Sequence, residues 1–237
     1  MNPTEEEDYH YRFKVVVLGE TKSGKTTFLD SKQIIYLYTI LNFIFYLLAL
    51  TECNGKVLNL EASEEISERI TIQAFNHMIF RVTYWELPGK ERHLQFLKNY
   101  CLGAAVVMVL FDTTKASSLE KAENILKCIE NCDIPIKYLV CNKMDLLNTK
   151  KNIVNPASQQ DATTIAKNYN CEYFNCNSTS IEFVNPIYTS MTENIIKLIG
   201  TNLELRNLIG KNISVGKKLF NHPNFLQSLK DSQYFKD

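Results

Sequence analysis

The sequence predicts an α/β domain, a three-layer sandwich whose sheet is mostly parallel with one antiparallel edge strand. Three observations carry this. Short apolar runs with β-branched centres (13–19, 104–112 and 136–142) alternate with stretches of helical character. Strands covered by crossover helices on both faces read this way. Two neighbouring runs, 70–75 (ITIQAF) and 77–86 (HMIFRVTYWE), are parted only by a turn at Asn76, which supplies the antiparallel pair. The 237 residues suit one domain with a tail.

The elements follow in order. Residues 13–19 (FKVVVLG) form the first strand, ending on glycine, and the loop ETKSG leads into a helix from 25 to 30. After the pair at 70–86 comes a buried strand at 104–112 (AAVVMVLFD), then an amphipathic helix at 117–131 that serves packing. A strand at 136–142 (IKYLVCN), a loop, a helix at 161–170, a strand at 172–176 and a long helix across 186–209 complete the domain. Residues 1–11 read as an acidic extension, 12–210 as the domain and 211–237 as a weakly ordered tail.

Composition excludes several functions. Basic and acidic residues number 26 each, without the basic excess of a nucleic-acid binder. Seven cysteines, an odd number with no CxxC pair, read as reduced thiols in the cytosol. Cys128 and Cys132 lie one helical turn apart with no histidine near them, which argues against a metal site. The polar start MNPTEEEDYHYR is no signal peptide, and Asn2 stands where myristoylation needs glycine. The last cysteine is Cys176, so no C-terminal prenylation is expected.

Chemistry concentrates at two motifs. Gly19-Glu20-Thr21-Lys22-Ser23-Gly24-Lys25-Thr26 fits G-x-x-x-x-G-K-[ST] at every required position. Glycines at both ends let the loop curl so that backbone N–H groups point at phosphate oxygens. Lys25 would meet the β- and γ-phosphates, the Thr26 hydroxyl would join a magnesium shell, and the helix N-terminus carrying Thr27 would face the anion. The fold is therefore expected to be that of a P-loop NTPase, Rossmann-like in layering. The second motif, Asn142-Lys143-Met144-Asp145, closes the fifth strand, where open α/β sheets place ligands. Asp145 would accept from N1–H and the 2-amino group of guanine. Such a site rejects a partner lacking those donors by roughly ten thousand-fold. The Lys143 stem would pack along the base, and Asn142 would tie base site to P-loop.

Over about residues 12–210 the chain resembles the Ras superfamily of small GTPases, most closely the Rab and Rab-like branch. The resemblance rests on the P-loop, on Asn142–Asp145, and on Trp85-Glu86-Leu87-Pro88-Gly89-Lys90-Glu91, where the family has W-D-T-A-G-Q-E. It implies GTP and Mg2+ binding, two nucleotide-dependent switch segments, and exchange factors, activating proteins and effectors as partners. Ser178, in 173–179, stands in for the base-contacting S-A-K loop, and Ser63 for the switch threonine that reaches the metal.

Departures from the family pattern bear on turnover. Glu86 replaces the metal-associated aspartate and is one methylene longer. Gly89 keeps a backbone N–H for the γ-phosphate. Lys90 replaces the glutamine that orients the attacking water, and lysine offers donors but no acceptor. Slow intrinsic hydrolysis is expected. Thr21 and Lys22 would crowd the γ-phosphate and any arginine finger. The expected function is a Rab-like GTP switch in vesicle traffic, cytoplasmic and peripheral to endomembranes through a partner. The rival is an interaction module that holds GTP or GDP with little hydrolysis; a P-loop ATPase or kinase is a second rival.

Residues 33–51 (QIIYLYTILNFIFYLLALT) carry no charge, glycine or proline. Three readings stay open: a membrane segment at the lower limit of spanning length, an added packing helix, or an in-frame retained intron. Ser63 lies 38 residues after Lys25, where the family has roughly 20. That surplus is close to the length of the block and suits an insertion.

Overall fold

The computed structural model describes residue 9 and residues 11–31, 66–75, 78–89, 95–149, 155–200 and 212–215. β1 (Tyr11–Gly19) pairs in parallel with β3 (Met78–Glu86) on one edge and β4 (Ala104–Asp112) on the other. Val15 and Val17 pack on one face of the sheet, Val16 and Leu18 on the other, and all are buried. Partners on both edges and helices on both faces leave no exposed side, which is why this segment is almost continuously apolar.

The strand order is β2-β3-β1-β4-β5-β6, with β2 at Ser67–Phe75, β5 at Ile136–Asn142 and β6 at Glu172–Asn175. Edge strand β2 is antiparallel to β3, and β5 and β6 continue the parallel pairing. The expected α/β class holds, antiparallel edge included.

Helix α1 (residues 25–31) and helix α6 (Ile181–Gly200) cover one face. Phe28 and Leu29 meet Val184, Ile187, Tyr188, Met191 and Ile195 there, and the Phe28 and Tyr188 rings stack at 5.2 Å. On the other face lie α3 (Ala116–Cys128) and α5 (Gln159–Asn168), burying Leu119, Ala122, Ile125, Leu126, Ala162 and Ile165. Short helix α4 (Met144–Thr149) occupies a stretch expected to be a loop, and a second short helix, α2 (Leu97–Cys101), precedes β4.

Several element ends lie a few residues from expectation, and three of the differences have a clear physical reason. Helix α5 starts at Gln159 because Ser158 caps it, accepting from the Asp161 N–H at 3.2 Å. Helix α6 starts five residues before Pro186. Val184 and Ile187 lie on one buried stripe that runs through Tyr188 and Met191, and this packing outweighs the hydrogen bond that proline forfeits. Within the stretch expected as a tail, β7 (Ile213–Val215) pairs antiparallel with Tyr11–Phe13 of β1.

No helix among the described residues is long and apolar enough to cross a membrane. Cys101, Cys128, Cys132, Cys141, Cys171 and Cys176 are free thiols. Among the described residues, no group of three histidine, cysteine or acidic side chains is placed to hold a metal. Residues 33–51, Ser63 and Lys90 lie outside the described residues.

Candidate nucleotide-binding site

Parallel strands bring their carboxyl ends to one edge, and the motif residues gather there: Gly19 on β1, Glu86 on β3, Asp112 on β4 and Asn142 on β5. The glycines of the first motif are forced. Gly19 has φ +144°, and a Cβ there would fall 2.2 Å from the Leu110 carbonyl oxygen. Gly24 has φ +94°, and its Cβ would lie 2.3 Å from Asn142 Nδ2. A side chain at 24 would therefore push Asn142 off the loop. Lys22 adopts the left-handed region without being glycine, at φ 67°, a conformation costing about 1 kcal/mol.

Lys25 is 6% exposed and donates to the carbonyls of Gly19 at 3.0 Å and Glu20 at 2.9 Å. Burial lowers its pKa, opposed by the charges of Glu86 and Glu20. Thr26 Oγ1 donates to Glu86 Oε1 at 2.5 Å. A hydroxyl and a carboxylate held together are hard oxygen donors of the kind Mg2+ takes while keeping several waters, so this pair fits the ion. Glu20 is paired with Lys121 on α3 at 2.5 Å. Thr21, Lys22 and Thr27 are exposed, and the Thr27 carbonyl accepts from Ser31 Oγ at 2.9 Å. The buried Ser23 donates its N–H to Glu20 O at 3.1 Å.

Gly89 lies directly against the loop. A Cβ there would stand 2.1 Å from the Thr21 nitrogen and 2.5 Å from the Gly19 oxygen. Leu87 fixes the approach, its N–H bonding to Val17 O at 3.1 Å.

Asn142, with no exposed surface, is the hub of the second motif. Its Nδ2 donates to Ser23 O at 2.8 Å, and its Oδ1 accepts from Ser178 N at 3.0 Å and Ser178 Oγ at 2.8 Å. The Ser178 carbonyl in turn accepts from Ser31 Oγ on α1. P-loop, fifth strand and the segment after β6 are thus joined through one amide. Lys143, at φ 65°, reaches Lys22 O and Asp112 Oδ2, each at 2.6 Å. Asp145 is exposed in the first turn of α4.

Sequence reasoning missed Asp112, Lys121, Arg69 and Ser31. Asp112 stands at a strand's carboxyl end, where its position is a usable signal. Burial pushes its pKa up, but hydrogen bonds from Lys143 and Thr114 outweigh this, and the net direction is down. The other three act through partners far away in sequence and leave no local pattern.

A mostly parallel sheet, with a glycine loop between its first strand and first helix and Asn-Lys-x-Asp at the fifth strand end, is the architecture of a P-loop GTPase. The Ras family model matches residues 61–197, more than half of the chain, and the chain belongs to that family as a Rab-like small GTPase. It is 27% identical to Ras-related protein Rab-1A of Dictyostelium discoideum over 63% of this chain and 64% of that protein, just under two thirds of its length. It is 24% identical to Ras-related protein RABC2b of Arabidopsis thaliana, covering 80% of this chain and 82% of the relative. With Ras-related protein RABE1e of the same plant it shares 26% identity, over 79% and 77% of the two chains.

Proposed function

We propose that this chain is a GTP/GDP switch of slow intrinsic turnover that acts in vesicle traffic. The observation that carries the reading is the Asn142 junction, which fixes a loop suited to phosphates against a strand end suited to guanine. Ser178 would then belong to the base side, with Asp145 accepting from the base and Lys143 lining it. On the phosphate side, Lys25 would exchange the carbonyls of Gly19 and Glu20 for the β- and γ-phosphates. The loop's backbone N–H groups would meet the remaining phosphate oxygens.

Magnesium, when bound, would neutralise phosphate charge, held by Thr26 with Glu86 and, in the triphosphate state, Ser63. Gly89 would turn its N–H to the γ-phosphate. The switch follows from these contacts: the triphosphate orders the segments around Ser63 and Gly89–Glu91, and hydrolysis releases them. Exchange factors, activating proteins and effectors would read those segments.

Slow turnover rests on Lys90, which cannot accept a hydrogen bond from water, and on Thr21 beside Gly89. The same two positions favour a second reading, a module that binds the nucleotide without hydrolysing it. Single-turnover hydrolysis of loaded GTP separates them. A measurable slow rate that rises in Lys90→Gln supports the switch, whereas no rate in either protein supports the module. Guanine selection is tested by calorimetry with GDP and ADP. Asp145→Asn should abolish the preference for GDP; an unchanged preference sinks the assignment of Asp145.

A further inference from the structure

Glu86 faces two groups at once. Its Oε1 accepts from Thr26 Oγ1 at 2.5 Å, and its Oε2 faces Arg69 Nη2 at 3.6 Å. The other terminal nitrogen of Arg69 is ion-paired with Asp30 near the end of α1. Strand register sets this up: Ser67 lies opposite Glu86, and Arg69 stands opposite Tyr84, two residues along. Glu86 and Arg69 are therefore diagonal neighbours, a spacing that long side chains bridge. Little water reaches the pair, with the Arg69 and Glu86 side chains 18% and 13% exposed, while that of Asp30 is 57% exposed.

A guanidinium stays charged at every working pH. Here it stands beside the carboxylate that would help to hold a divalent cation. Two cations at one carboxylate repel, and low exposure limits screening of that repulsion. Asp30 offers the guanidinium an alternative partner, away from Glu86 and close to solvent.

We propose that Arg69 is a resident counter-cation of the metal position: it weakens Mg2+ at Thr26–Glu86, and Asp30 sets how strongly by drawing the guanidinium away. The inference deepens the nucleotide-switch reading and rests on Thr26 and Glu86 being its metal-side pair. Metal and nucleotide each strengthen the binding of the other, so a weakened metal position shortens nucleotide retention. Arg69 is thus a positioning residue for the ion, acting through Glu86.

The test uses the full chain loaded with a fluorescent GDP analogue in EDTA. Release is followed against rising Mg2+, and the Mg2+ concentration at half-maximal slowing is the readout. For Arg69→Gln this midpoint should fall by roughly five- to tenfold, the effect of one nearby unit charge on a divalent ion. Arg69→Lys, which keeps the charge, should stay near wild type. Asp30→Asn should raise the midpoint, and it alone decides the matter if Arg69→Gln does not fold. A midpoint for Arg69→Gln at or above wild type, or one for Asp30→Asn at or below it, overturns the proposal while GDP still binds. Failure of wild type to bind GDP overturns the underlying nucleotide reading, and the proposal with it.

Discussion

Asn142 and Asp112 are single side chains that bind separate parts of the chain together, and each predicts a measurable loss. Replacing Asn142 by alanine leaves Ser23 O and the Ser178 N–H buried without their partner. Each unmet group costs about 1–3 kcal/mol, so Asn142→Ala should lower unfolding free energy in urea by about 2–6 kcal/mol and loosen nucleotide binding. A loss below about 1 kcal/mol would mean that the junction contributes little. Asp112 predicts a pH dependence. Its folded pKa is depressed, so its contribution is fully present above the unfolded aspartate value of about 3.9 and disappears as pH falls through the folded value. Asp112→Asn should therefore cost about 2 kcal/mol near neutrality, with the gap from wild type closing below about pH 4. A gap that persists unchanged into acid would place the interaction elsewhere. Asn142 was legible in the sequence because it closes an apolar run beside lysine and aspartate. The Lys143–Asp112 pair was not, since its partners are 31 positions apart and only parallel pairing of β4 and β5 aligns them.

At the scale of elements, legibility follows local pattern. The strands at 104–112 and 136–142 were read to the residue because an apolar run that starts after Gly103 or Pro135 and ends on Asp112 or Asn142 is a local signal. The start of α6 was missed because proline is a local stop signal, whereas the stripe through Val184 and Ile187 owes its burial to the sheet beneath. β7 was missed for a similar reason. Three residues have no periodicity to read, and their place is supplied by β1, whose first residues extend beyond its pairing with β4, which begins at Lys14 and Ala104. Asn212 seals the join: buried, it donates to Ala104 O at 2.7 Å and Asp133 O at 2.9 Å. Asn212→Ala should lower stability by about 1–3 kcal/mol while leaving GDP affinity unchanged, because the site lies at the opposite ends of the strands. Urea unfolding and calorimetry check the two halves. An unchanged stability would mean that the Asn212 hydrogen bonds add nothing to the domain.

For the whole molecule, the question is what the connection from α1 to β2 demands of the chain. The family match begins at residue 61, after the uncharged block 33–51, while the P-loop lies before it. The two sides nevertheless belong to one sheet and one site. Arg69 on β2 is ion-paired with Asp30 on α1, and Ser31 is anchored to Thr27 O and Ser178 O. The ends of the connection are therefore brought together by contacts among described residues. Joining two fixed points with a longer chain costs little, about 0.6 kcal/mol for each doubling of length. Residues 52–65 would still span the gap after removal of the block. Deleting 33–51 should thus change unfolding free energy by less than about 1 kcal/mol, and the purified protein should retain guanine nucleotide, measured by chromatography of the released ligand. A shortened chain that fails to fold would assign the block to the core. Nucleotide found only in the shortened chain would instead identify residues 33–51 as the obstacle to binding.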